Sequence, residues 1–103
     1  MYVLNYWHTV SDYGEWKKMF DSDPLGREAS GVRRLSIERP MDDESTVIGE
    51  LEFDSLGEAE TFAGRLQEVW SGPASSMVSN AGLRITEVLV QQEFGHETTR
   101  KVA

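Results

Sequence analysis

Tyr2-Val3-Leu4-Asn5-Tyr6-Trp7-His8-Thr9-Val10 is the stretch from which the rest of the chain can be arranged. It is rich in β-branched and aromatic side chains and has no helical period, so it reads as a strand. Large apolar groups fall on both alternating sets: Val3 and Trp7 on one, Tyr2, Leu4 and Tyr6 on the other. A strand covered on both faces belongs in the centre of a sheet.

Working outward, Asp12 is placed to cap a helix, with Glu15 three positions on completing a reciprocal cap. Tyr13, Trp16, Met19 and Phe20 then make one apolar stripe, and the helix should end near Asp21 or Ser22. Asp23-Pro24 predicts a second, short helix to about Ser30, stopped by Gly31. Val32 to Arg39 and Thr46 to Phe53 alternate between apolar and charged residues, and Pro40 to Ser45 supplies the turn of a hairpin. Asp54 or Ser55 caps the next helix, which has Glu58 in the reciprocal position. Its stripe of Leu56, Ala59, Phe62, Ala63, Leu66, Val69 and Trp70 ends at Ser71-Gly72-Pro73. A last strand is expected from Leu83 to about Phe94. Residues 95–103 are polar and aperiodic and are expected to form a flexible C-terminal tail to one domain over residues 1–94.

The element order is strand, helix, strand, strand, helix, strand. Right-handed crossovers put both helices on one side of a four-stranded antiparallel sheet, an α+β, ferredoxin-like βαββαβ fold. One sheet face is then left bare, although the central strand carries large apolar groups on both. A second copy of the chain packed face to face is the simplest cover, so a homodimer is expected.

Composition narrows the function. The 103 residues carry 10 basic and 18 acidic side chains, a net charge of -8. That surface repels phosphate backbones and anionic lipid, which argues against nucleic-acid and membrane partners. There is no cysteine, and the two histidines, His8 and His96, are too few for a histidine-rich metal cage. No apolar run approaches the roughly 20 residues that span a bilayer. No metal is expected, and the expected location is cytoplasmic.

His8 is the proton-transfer candidate inside the predicted fold, or else simply a hydrogen-bonded strand residue. Asn5 could orient a substrate carbonyl or an oxygen intermediate, or make a structural hydrogen bond. The two stand as alternatives, because positions 5 and 8 face opposite sides of a regular strand. Tyr6, Trp7, Trp16, Phe20, Phe62 and Trp70 supply aromatic surface for a substrate pocket, or for ordinary core. Glu50 and Glu52 lie about 6.5 to 7 Å apart on one strand face, a spacing that two-carboxylate chemistry uses. Charge pairing with Arg34 is the simpler use. Asp42-Asp43-Glu44 lacks the ligand spacing of a calcium loop, and Gly57, Gly64 and Gly72 do not form a phosphate-binding loop. A single histidine within the fold does not point to a Ser/His/Asp set.

Two stretches carry a family resemblance: Val10-Ser11-Asp12-Tyr13-Gly14-Glu15-Trp16-Lys17-Lys18-Met19-Phe20-Asp21, and Val47-Ile48-Gly49-Glu50-Leu51-Glu52-Phe53-Asp54-Ser55-Leu56-Gly57-Glu58-Ala59. They resemble small proteins of the dimeric α+β barrel superfamily, of the antibiotic-biosynthesis-monooxygenase type. The resemblance runs over residues 2–94, with Arg27, Gly31, Asp42-Asp43 and Ala81-Gly82 at positions where such proteins carry similar residues. It implies a cofactor-independent oxygenase or isomerase acting on a small apolar, aromatic or polyketide-like molecule, without metal or flavin. Haem-degrading relatives pair a first-strand asparagine with a tryptophan and a histidine from the second helix region. Asn5 matches the first, but Phe62 stands near the tryptophan's place and no histidine lies between Leu56 and Gly82. Haem ligation therefore lacks its residue. The alternative is a non-catalytic dimeric module that binds a small apolar ligand or is structural.

Overall fold

A computed structural model describes residues 1–95. The elements are β1 (Tyr2–Val10), α1 (Tyr13–Asp21), β2 (Val32–Glu38), β3 (Thr46–Phe53), α2 (Leu56–Ser71) and β4 (Val78–Glu87). The sheet order is β2-β3-β1-β4 and every neighbouring pair is antiparallel, so β1 lies in the interior of the sheet as its composition requires. Both helices start where a side chain takes up a free backbone N–H. The Asp12 carboxylate accepts from the Glu15 amide at 3.0 Å, and Ser55 Oγ accepts from the Glu58 amide at 3.1 Å.

Leu4, Tyr6 and Val10 of β1 point to the helix-covered face with Val47, Leu51 and Phe53 of β3. They meet Trp16 of α1 and Ala59, Phe62 and Ala63 of α2. The opposite face holds Asn5 and Trp7 together with an Arg34–Glu52 ion pair at 3.8 Å, and Trp7 is 40% exposed. Glycines let two aromatic rings lie flat on the sheet. Tyr6 covers Gly49, its partner on β3, and Trp7 covers Gly82, its partner on β4. No helix among the described residues is long and apolar enough to cross a membrane.

Two expectations about the elements need correction. The segment expected as a short helix from Pro24 to Ser30 is a series of turns. Asp23 and Gly26 both take left-handed backbone angles, φ 55° and 60°, which a helix cannot continue through. The last strand runs from Val78 to Glu87 rather than from Leu83 to Phe94. It begins earlier because Val78 pairs with Val10, and it ends at Glu87 because that residue pairs with Tyr2, where β1 starts. Of the expected tail, residues 96–103, including His96, lie outside the described residues.

The glycine contacts make opposite predictions for one substitution. A Cβ at Gly49 would collide with the Tyr6 ring, whereas at Gly64, on the exposed side of α2, it would meet nothing within 4 Å. Gly49→Ala should lower stability by ~1–3 kcal/mol through overpacking. Gly64→Ala should raise it by roughly 1 kcal/mol through helix propensity. Urea unfolding midpoints with unchanged slopes would show both.

Candidate functional site

Tyr6 and His8, two apart on β1, form the floor of a cavity between the sheet and the helices. Its walls come from Trp16, Met19 and Phe20 of α1 and from Phe62, Leu66, Val69 and Trp70 of α2, and Asp23 and Arg27 of the loop between α1 and β2 also line it. The cavity holds about 70 Å³. The apolar walls follow directly from the two helical stripes, which point at the same sheet face.

His8 is only 2% exposed, and its ring is bracketed by three aromatic side chains. Tyr6 stacks on it at 5.6 Å, while Trp16 and Trp70 meet it edge-on at 5.8 Å each. Its Nδ1 is buried and has no hydrogen-bond partner among the described residues. Burial pushes the imidazole pKa down to about 4, against a smaller opposing pull from the backbone of Thr9 and His8. The ring is therefore neutral at pH 7 and is a weak base there. Opposite His8 the β1–β4 register slips: Trp7 pairs with Gly82 but Thr9 pairs with Ser79. Two residues of β4, Asn80 and Ala81, thus oppose one of β1, a bulge that Asn80 accommodates at φ 53°.

The Tyr6 hydroxyl is likewise kept uncharged, its pKa pushed up to about 12 by burial and only partly offset by the positive charge of Arg27. Arg27 itself is fixed. Its guanidinium lies 4.0 Å over the Phe20 ring, Nη1 donates to the Phe20 carbonyl at 2.9 Å, and Nε is 3.5 Å from Asp23 Oδ1.

Of the residues singled out in the sequence, the structure brings His8, Tyr6, Trp16, Phe20, Phe62 and Trp70 together. Trp7 and Asn5 are elsewhere. Both point to the open face, where Asn5 Nδ2 donates to Thr86 Oγ1 at 3.2 Å and to the Val3 carbonyl at 3.3 Å. Placing Trp7 in one pocket with Tyr6 conflicts with strand alternation, since adjacent residues face opposite ways. Leu66 and Val69 were legible as members of the α2 stripe. Arg27 and Asp23 were not, because a turn carries no period from which to infer a direction. Among the described residues, no three His, Cys, Asp or Glu side chains cluster as metal ligands would.

The depressed His8 pKa has a consequence for stability. Between the unfolded value of 6.5 and the folded value of about 4, the unfolded chain binds a proton at this site and the native one does not. The contribution is fully present above pH 6.5 and is lost as pH falls to about 4, in total about 3 kcal/mol at 1.36 kcal/mol per unit. Urea unfolding at pH 7 and pH 4.5 should show wild type losing more stability than His8→Gln by most of that amount.

No family model matches this sequence, and no curated protein matches it. Solved structures do. The fold is similar to that of a protein described as an antibiotic biosynthesis monooxygenase from Deinococcus radiodurans, with a TM-score of 0.71 and 11% identity, over 90% of this chain and 97% of that one. It is similar to a mutant of MhuD carrying two manganese protoporphyrin IX molecules per active site, with a TM-score of 0.68, 18% identity, and 90% and 99% of the two chains covered. SnoaB, a cofactor-independent oxygenase from Streptomyces nogalater solved in a mutant form, matches with a TM-score of 0.67 and 12% identity, over 92% and 97%. At these identities the likeness establishes a shared fold: the ferredoxin-like βαββαβ architecture of antibiotic-biosynthesis-monooxygenase-like proteins.

Proposed function

We propose that the protein is a cofactor-independent oxygenase or isomerase of the cytoplasm, acting as a homodimer on a small apolar, aromatic or polyketide-like molecule. The observation that carries this reading is the buried, unpartnered Nδ1 of a neutral histidine in an aromatic cavity. An unmet buried polar atom costs about 1–3 kcal/mol, and a ligand that hydrogen-bonds to it would remove that cost. Because burial pushes the His8 pKa down to about 4, the imidazole is a weak base. The bound molecule must therefore carry a strongly activated C–H, such as that of a 1,3-diketone or an anthrone. His8 would accept that proton, leaving an enolate. Return of the proton to a different carbon completes an isomerisation. Dioxygen added at the enolate carbon, with the proton, gives a hydroperoxide, and loss of water from that leaves a carbonyl. The aromatic walls would exclude bulk water and strengthen each polar contact at His8.

A porphyrin does not suit these residues. The space is about 70 Å³, and its one histidine lies on the floor beneath Trp16 and Trp70. The low His8 pKa, which makes the imidazole a weak base at pH 7, favours the second reading, a dimeric module that binds a small molecule without turning it over.

Oxygen uptake and product formation over a panel of anthrones and 1,3-diketones would separate the two readings. His8→Ala should retain the far-UV spectrum and lose roughly 10²- to 10⁴-fold in rate, the usual worth of a general base. Asn5→Ala, on the other face, should turn over like wild type. Binding without turnover in wild type would decide for the module. The dimer has its own test at the open face around Trp7. Light scattering should give about 23 kDa, twice the 11.6 kDa of the chain, and Trp7→Glu should shift it to the monomer. A wild-type mass of one chain at micromolar concentration would refute the dimer.

A further inference from the structure

The cavity is apolar almost throughout, yet its lining includes one lysine or arginine, and that side chain is held in place. His8, Trp16, Phe20 and Arg27 follow one another in contact: 5.8 Å from His8 to Trp16, 5.2 Å from Trp16 to Phe20, and 4.0 Å from the Phe20 ring to the guanidinium. The Trp16 and Phe20 rings are stacked, 26° from parallel, so the two rings and the guanidinium over Phe20 form one layered column along the cavity. A neutral imidazole whose Nδ1 has no hydrogen-bond partner among the described residues stands at its buried end. The guanidinium, on a side chain 23% exposed, stands at the more open end.

We infer that Arg27 sets the ligand specificity of this cavity, and that the ligand is a planar molecule with an anionic oxygen, a carboxylate or a ring oxyanion, at the end away from His8. The inference rests on reading the cavity as a ligand site and adds the class of ligand. A guanidinium has five N–H donors, of which one on Nη1 is given to the Phe20 carbonyl, beside a 3.5 Å ion pair between Nε and Asp23. The rest are pre-oriented by stacking and suit a planar oxyanion. Asp23 also lines the cavity and would oppose an anion. Its carboxylate is held at the Nε edge of the guanidinium, 3.5 Å away, and accepts the Arg27 amide at 2.9 Å, while Nη1 is turned to the Phe20 carbonyl. With a net charge of -8 the protein as a whole repels anions, so discrimination in their favour has to come from a local cation.

Benzoate and benzamide, nearly equal in shape and different in charge, make the test. Titrations followed by the indole N–H signals should move Trp16 and Trp70 and leave Trp7, on the other face, as an internal control. Wild type should bind benzoate about 10-fold more tightly than benzamide. Arg27→Gln should abolish that preference while leaving benzamide affinity and the far-UV spectrum unchanged, and Arg27→Lys should restore part of it. Equal affinity of the two probes for wild type would overturn the inference. So would Arg27→Gln weakening both alike, which would make Arg27 a structural pin for the loop. If neither probe moves Trp16 and Trp70, the ligand-site reading falls and takes this inference with it.

Discussion

The pairing of β1 with β3 on one edge and with β4 on the other holds every side chain of β1 to one face or the other. Because the strand period is two, Tyr6 and His8 are committed to the helix side, and Asn5 and Trp7 to the open side. A slip of one residue would exchange the two sets, placing a bare imidazole among charged hairpin residues and Asn5 among tryptophans. Glycine partners reinforce this register. Gly49 receives the Tyr6 ring and Gly82 receives Trp7, and any side chain at either position would collide with the ring.

The helix side is held together by aromatic contact. Tyr6, Trp16 and Trp70 around His8, with Phe20 behind Trp16, supply ring pairs worth about 0.5–1.5 kcal/mol each beyond their buried area. Two or three such pairs outweigh the cost of one unmet buried nitrogen, so His8 can stay unpaired without unfolding its surroundings. The same contacts remove water from the ring and keep it uncharged. Packing and the acid–base state of the site therefore have one cause.

The open side follows different physics. Trp7 lies flat against Gly82 with part of its ring in solvent, amid Asn5, Thr86 and the Arg34–Glu52 pair. It is a mixed surface, with an apolar centre among satisfied polar groups. That composition suits a face shared between copies better than it suits a hydrophobic core. The expected role of Asn5 near a substrate is less economical here, since its amide already bonds across to β4.

Much of this was readable from residues in order. The period of β1, the caps Asp12 and Ser55, and the α2 stripe are local patterns, set by backbone geometry and by which side chains water excludes, so the sequence alone determined the elements and their order. It also determined that His8 and Asn5 face apart, because alternation needs only counting. The end of β4 was not readable, since a strand stops where its partner does, and Glu87 meets Tyr2 from the far end of the chain. The turns of residues 23–31 were missed because left-handed angles at Asp23 and Gly26 leave no periodic trace. Only the tertiary structure could put Arg27 over Phe20, leave His8 Nδ1 without a partner and set a bulge against it. Each of these depends on which distant groups come within a few ångströms, and local sequence does not encode such distances.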